Sequence, residues 1–488
     1  MPRKLGAAST TMAGATSSDV CTMIGAVHVS ESGRCLSVAD YVRRPTRATS
    51  NMADVQAFRG WRYDLGQVGN LSDVIAPPYD VIGPEQQTKL YQQHPCNVIR
   101  LDLNRVEPGD TDTNARYERA ANFLRHWQSE GILLQEHENA LYVYHQEFDW
   151  AGCYYVRKGF MGRVRVEEFG KGKIYPHEQT LSGPKADRLA LTKATKMNLS
   201  PVFGLYPDST GAVNAALEAA TRGKTPLIAQ DHLGVVHKLW PVTDVAAINT
   251  ARSQLQELRI FIADGHHRYE TANDYRNWLI EQGQFRGEAD PANFVLMMLV
   301  GMSDPGLAIL PTHRLVSGLP ALSAADLKAA LSSHLELELM GHGAAAAQKT
   351  WERIETEGEQ NVFGFGTAAD GEWLFGRVTD DSPMATLAPE QTEAWRELGV
   401  SLLHKLIIDH LLAKKYPTAK REFKYVHLLE ETADAIAAKS CQLACLVPPA
   451  QIEHVEEIAS KFEKMPPKST YFYPKLLTGL VFNALDKS

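Results

Sequence analysis

Six cysteines in 488 residues, at Cys21, Cys35, Cys96, Cys153, Cys441 and Cys445, are sparse and show no zinc-type pairing. The chain therefore reads as the product of a reducing compartment. Cys441 and Cys445, four apart in an expected helix, read as small buried apolar residues. No run of eighteen or more apolar residues occurs, so no membrane-spanning helix is expected. Positive charge is also in deficit: 50 Lys and Arg stand against 58 Asp and Glu, a formal net charge of −8. That balance speaks against an extended nucleic-acid footprint and leaves room for a local basic pocket that takes a small anion.

What is present is 44% hydrophobic residues, enough for a packed core in two or three domains of ordinary size. Met1 to Ser50 departs from the rest. It is rich in Ser, Thr and Ala, and sets Arg3, Lys4, Arg34, Arg43, Arg44 and Arg47 against Asp19, Glu31 and Asp40. Residues 1–52 are accordingly expected as a disordered leader, either an organelle transit peptide or an extension before a start at Met52. A cytoplasmic location is expected otherwise.

From Val55 onward the pattern becomes structured. Pro77-Pro78 in APPYDVI forces an extended backbone before Tyr79 and Asp80, either as a turn or as a pocket wall. A helix is expected over Pro84 to Gln93. In HPCNVIRLDL, the alternation of Val98, Arg100 and Asp102 predicts a strand. Tyr117 to Glu130 predicts an amphipathic helix, and Leu141 to Phe148 with Val156 to Val166 a pair of strands joined near Asp149 to Gly152.

Two stretches carry chemistry. The first is YPHEQTLSGPKADRL, where Pro176, His177 and Glu178 follow a short strand and Ser182 to Lys185 precede a helix reaching about Met197. Glu178 is a carboxylate able to take a proton from a hydroxyl, and Lys185 a cation suited to polyphosphate. Lys193 and Lys196 read rather as a solvated helix face. The second is FIADGHHRY. Gln256 to Ala263 predicts a strand and Tyr269 to Ile280 a helix, so Asp264, Gly265, His266, His267 and Arg268 fall where strand turns into helix. The first N–H groups of a helix lack partners and its dipole is positive there, which suits an anion. Gly265 permits close approach, Arg268 offers a forked contact to phosphate, and Asp264 can hold a histidine tautomer or a metal-bound water. An ordinary Asp-Gly turn is the competing reading.

Farther on, Asn293 to Met302 predicts a buried strand, and His313 and Arg314 follow Leu307 to Leu310 closely enough to reach a pocket. There Arg314 would pair with the carboxylate of an amino-acid substrate. Ser323 to His334 and Ala344 to Glu357 are expected as helices, Asn361 to Phe365 and Gly371 to Val378 as a hairpin, and Gly399 to Ala413 as an amphipathic helix. His404 and His410 read as core or surface. The terminal KSTYFYPKLLTGLVF, with Lys468, Ser469 and Tyr471, reads as packing, with a return to the site as the alternative.

Through APPYDVI, HPCNVIRLDL, YPHEQTLSGPKADRL, FIADGHHRYETA, LPTHRLV and KSTYFYPKLLTGLV the sequence resembles, from about Val55 to Val481, the domain-of-unknown-function family 1015. Within it, PHE followed by DGHHR is similar to the archaeal free serine kinases of the ParB/sulfiredoxin-like superfamily. The resemblance implies that Glu178 is the catalytic base, helped by His177, Asp264 and His267. Gly265, His266, Arg268 and Lys185 would bind nucleotide phosphates; Arg314 and His313 are assigned to the substrate by their own residue types and their place after Leu307 to Leu310. The resemblance also implies Mg2+ with ATP or ADP as donor and a small hydroxylated amino acid, free L-serine, as acceptor. The metal ligands are left open. The expected fold is α+β: a mixed sheet core over 53–316 with a ParB/sulfiredoxin-like site, and a smaller α+β lobe over 317–488. A metal-dependent phosphohydrolase using His177, Glu178, His266 and His267, and a ParB-like nucleotide switch, are the competing functions.

Overall fold

In the computed structural model, which describes residues 52–486 apart from 111, 113 and 181, the apolar run Phe294–Gly301 is buried at every position. A strand covered on both faces belongs in the middle of a sheet, and this one does. The strands of that sheet, in chain order, are β1 (Val55–Gln56), β2 (Leu141–Trp150), β3 (Cys153–Arg165), β4 (Ile174–Tyr175), β5 (Val202–Tyr206), β6 (Leu227–Gln230), β7 (Val236–Val242), β8 (Ile260–Asp264) and β9 (Phe294–Gly301). Their spatial order is β4-β8-β5-β9-β3-β2-β7-β6, with β1 against β3. The sheet is mixed: β4–β8 and β5–β9 run parallel and the other neighbours antiparallel.

A second sheet contains β10 (His313–Ser317), β11 (Leu335–His342), β12 (Val362–Thr367), β13 (Glu372–Val378), β14 (Glu422–Val426) and β15 (Leu443–Leu446), in the order β11-β13-β12-β15-β10-β14. The α+β class with a mixed sheet is thus as expected. Four helices matter below: α1 (Ala115–Ser129), α2 (Ser182–Thr195), α3 (His266–Glu281) and α4 (Gly343–Glu357). None among the described residues is long and apolar enough to cross a membrane. The leader expected over 1–52 lies, apart from Met52, outside the described residues.

Several local expectations are corrected. The strand expected at Val98 to Asp102 is a helical turn, Ile99–Asp102. Asn97 decides this: its Oδ1 accepts the N–H of Ile99 at 3.0 Å while its amide donates to Asp73 and Ile75 carbonyls, an Asx-type cap that starts a turn. The strand expected from Gln256 starts only at Ile260, because Gln256 still caps the helix Val245–Leu255. The helix after PHE already includes Ser182, with Pro184 in its first turn, where a missing N–H costs nothing. Gly399 to Ala413 is helical as expected, but Leu402–Leu412 winds as a π-helix with seven buried apolar residues. Cys445 lies on strand β15 and Cys441 just before it rather than on a helix, although both are buried as expected.

Candidate functional site at the ends of two parallel strands

PHE and DGHHR meet because of sheet topology. β4 and β8 are adjacent and parallel, with Ile174 opposite Ile260 and Tyr175 opposite Phe261. Both motifs therefore leave the sheet at the same carboxyl edge, where open α/β-type sheets place their ligand sites. A register shift between Ile262 and Asp264 in the β8–β5 pairing re-aims the end of β8. Gly265 then turns the chain at φ 87° and caps α3 with no side chain of its own. A Cβ on Gly265 would lie 2.9 Å from the Arg268 guanidinium, so glycine is required here by conformation and by space.

The histidines and the glutamate interlock. The backbone N–H of His177 donates to His266 Nε2 at 3.2 Å, and the two rings cross edge to face with centroids 4.7 Å apart. With Nε2 accepting, the proton of neutral His266 sits on Nδ1, which faces Glu178 Oε2 at 3.7 Å and has no hydrogen-bond partner. Burial holds the His266 pKa well below the usual histidine value, and the nearby His177 adds to this. Burial also lowers His177 to about 4, so both rings are neutral at ordinary pH. Burial raises the Glu178 carboxyl, against the opposing charge of Lys468, and a raised carboxylate is a stronger base. Burial lowers His267 as well, with Glu178 opposing.

Asp264 is differently placed. Burial would raise it, but Lys475 and Arg268 outweigh that and hold its carboxyl well below the usual range. Lys475 Nζ lies 2.6 Å from Oδ1, and Arg268 Nη2 lies 2.6 Å from Oδ2. Arg268 also donates to the Pro201 carbonyl and is buried, so it fastens the turn from beneath rather than forking outward. Lys185 pairs with Glu270 on α3 at 2.8 Å. Lys193 lies over the Trp278 ring at 4.6 Å. His313 and Arg314, expected near a substrate, are buried in the second sheet: His313 Nδ1 accepts from Val447 N–H, and Arg314 Nε donates to His404.

The part that sequence reasoning left at the margin is the C-terminal strap, residues 464–475, which returns to the site. Met465 N–H donates to the His177 carbonyl at 2.8 Å, Lys468 N–H to Glu178 Oε1 at 3.1 Å, and Thr470 Oγ1 lies 3.0 Å from His177 Nε2. Two fully buried arginines fasten it. Arg314 Nη2 donates to the Lys468 carbonyl at 3.1 Å, and Arg157 Nη1 to the Tyr473 carbonyl at 3.2 Å. Thr470 and Lys475 were missed because the KSTYFYPKLLTGLV motif that holds them was read as packing. The cluster of charged and hydroxyl groups in KSTYFYPK was the available signal.

Residues 55–401 match the family described as "Protein of unknown function (DUF1015)". The chain belongs to this family. The match ends before the strap, so the earlier resemblance is established over 55–401 and not as far as Val481. No curated protein matches the chain. Among solved structures, a free serine kinase in complex with AMP aligns at 13% identity and a TM-score of 0.29, covering 62% of this chain and 83% of that one. A conserved hypothetical protein from Pyrococcus furiosus aligns at 13% and 0.31, covering 62% and 89%. SbnI with C-terminal truncation from Staphylococcus aureus aligns at 10% and 0.29, covering 65% and 85%.

Proposed function

We propose that this protein is a small-molecule kinase that transfers a phosphoryl group from ATP or ADP to the hydroxyl of free L-serine, giving O-phosphoserine. The observation that carries the reading is the convergence of Glu178 on the N-terminus of α3, with His266 Nδ1 3.7 Å from its carboxylate. In this reading Glu178 takes the proton of the serine hydroxyl as that oxygen attacks the terminal phosphorus. The bond to the leaving nucleotide oxygen breaks, and the nucleotide departs with the electron pair. The N–H groups of His266 and His267 receive the phosphate oxygens, while His177 and Asp264 hold His266 and the turn in place. Such a transfer depends on positioning and charge neutralisation, which these groups offer.

Among the described residues no three His, Cys, Asp or Glu side chains converge in a metal-holding group, and both Asp264 oxygens are engaged. An all-protein magnesium cage does not fit this site. Magnesium would enter on the donor's own phosphates, its usual mode in such enzymes. In the same reading 53–316 supplies base and phosphate cradle, and 317–488 closes on them through the strap. The test is a panel of ATP, ADP and pyrophosphate against L-serine, L-threonine and L-homoserine, followed by phosphorus NMR. O-phosphoserine formed with one of these donors supports the reading; phosphate released without any phosphorylated amino acid rejects it in favour of a hydrolase.

A further inference from the structure

We propose that Lys468 forms the anion subsite for the transferable phosphoryl group, anchoring Glu178 with its backbone and meeting the phosphate oxygens with its ammonium. This deepens the kinase reading and rests on it. Lys468 adopts φ 57°, a left-handed geometry that glycine takes freely and a lysine only with strain. The N–H that it gives to Glu178 at 3.1 Å could come from any residue, and from glycine with least strain. The backbone task therefore does not account for a lysine. Ala151, Lys196, Lys439 and Phe462 also take positive φ, and what sets Lys468 apart from them is its N–H bond to the Glu178 carboxylate.

The surroundings say what its side chain is for. Both backbone polar groups of Lys468 are held, the N–H by Glu178 and the carbonyl by Arg314 Nη2 at 3.1 Å. Ser469 Oγ donates to the Pro466 carbonyl at 2.5 Å and closes the turn around it. Only the side chain, which is exposed, is left to move. Three neighbouring cations are already committed, Lys475 to Asp264 at 2.6 Å, Lys185 to Glu270 at 2.8 Å, and Arg268 to Asp264 and the Pro201 carbonyl, while Lys464, whose charge acts on His266 and Glu270, lies on the same strap. Lys468 has no ion pair among the described residues. Its backbone bond sets Lys468 directly beside Glu178, and its charge acts on that carboxyl and on His267 and His427. A lysine beside the general base and the positive end of α3 is the arrangement that a migrating phosphoryl group needs, since negative charge rests on its oxygens throughout.

Lys468→Gly is the decisive variant, because glycine keeps the left-handed turn and the N–H to Glu178 while removing the ammonium. Four quantities are measured on the full chain: donor Kd by calorimetry with ATP and ADP, kcat with L-serine, the melting temperature, and the Glu178 titration by carboxyl carbon NMR. The expected result is unchanged or higher melting, donor binding at least tenfold weaker, lower kcat, and a Glu178 titration moved to higher pH as the facing cation is lost. His266, His267, Asp264 and Lys475, the other titratable groups facing Glu178, are intact in the variant. Lys468→Arg should restore most of the binding. Wild-type Kd and kcat in Lys468→Gly, or an unmoved Glu178 titration, overturn the subsite while the kinase reading stands. Early melting together with lost binding makes Lys468 structural and also overturns it. A parent protein that binds neither nucleotide removes the kinase reading, and the subsite with it.

Discussion

The two halves of the site are built in different ways. The half bearing Glu178 and His266 sits directly on sheet: β4 and β8 are neighbours, and hydrogen bonds between them set the spacing of the motifs. The strap half has no strand in either large sheet. Among the described residues its one strand, Tyr471–Tyr473, pairs with Ala308–Leu310, and its hold on the site otherwise rests on single contacts, those of Arg157 and Arg314 with its carbonyls and those of Met465, Lys468, Thr470 and Lys475 with the site. A ladder places groups through many bonds of similar strength, whereas in a strap held by single contacts each one removed weakens the hold. Rigid scaffold on one side and a locally fastened segment on the other is a division suited to admitting a ligand between them.

The largest expected effect breaks the chemistry and spares both halves. Glu178→Gln keeps the hydrogen bond from Lys468 N–H but has no basic oxygen. It should lower kcat by about 10²–10⁴-fold with donor Kd and melting temperature nearly unchanged. If rate, binding and melting fall together, Glu178 is holding the strap and not acting as base. Because burial raises this carboxyl, the parent's rate should fall on acidification through a pKa above the ordinary glutamate value of about 4.3.

Removing one fastener tests the strap half. Arg314→Met leaves the Lys468 and Thr312 carbonyls without this donor, at about 1–3 kcal/mol for each buried acceptor left unsatisfied. Lower melting should accompany weaker turnover, and proteolysis should cut first within 464–475. Cleavage elsewhere, with the strap intact, would show that the sheet-borne contacts suffice to hold it.

Gly265→Ala probes the sheet-borne half on a smaller scale. A left-handed alanine costs roughly 1–2 kcal/mol, and its Cβ must displace the Arg268 guanidinium 2.9 Å away. Melting should fall modestly and donor affinity should fall with it; unchanged affinity would detach the turn from phosphate binding. The smallest effect is with pH. His177 and His266 are buried neutral with lowered pKa values, so the unfolded chain binds more protons below its histidine pKa of about 6.5. Their stabilisation is present above that value and declines below it, by less than about 1 kcal/mol for each between about pH 7.5 and 6. Calorimetric melting over that range should show the decline, and replacing His177 by Gln should reduce it.

Much of this molecule was legible in the chain. The uninterrupted apolar run ending in Gly301 predicted a central strand, and the strand-like alternation of Leu141 to Val166 predicted the β2–β3 pair that the ladder bears out. The DGHHR turn was legible because an Asp-Gly directly after an apolar strand, followed by helical spacing, has few other conformations. Asn97 misled the reading of its segment, since a single capping amide outweighed a short alternating pattern.

By itself the sequence determined the α+β class, the strand-to-helix turn at Gly265, the presence of a carboxylate and two histidines suited to proton and phosphate chemistry, and membership of the DUF1015 family. Those properties follow from local periodicity and from residue types at short spacing, which need no knowledge of distant partners. Only the tertiary structure decided that PHE lies against DGHHR and that Arg268 and Lys185 are engaged within the protein. The same holds for Arg314, which supports the strap, and for Lys468, Thr470 and Lys475, which reach the site. The reason is physical: parallel pairing of β4 with β8 and the return of the strap are contacts between residues far apart in the chain, and no local propensity encodes which of many compatible partners will close them.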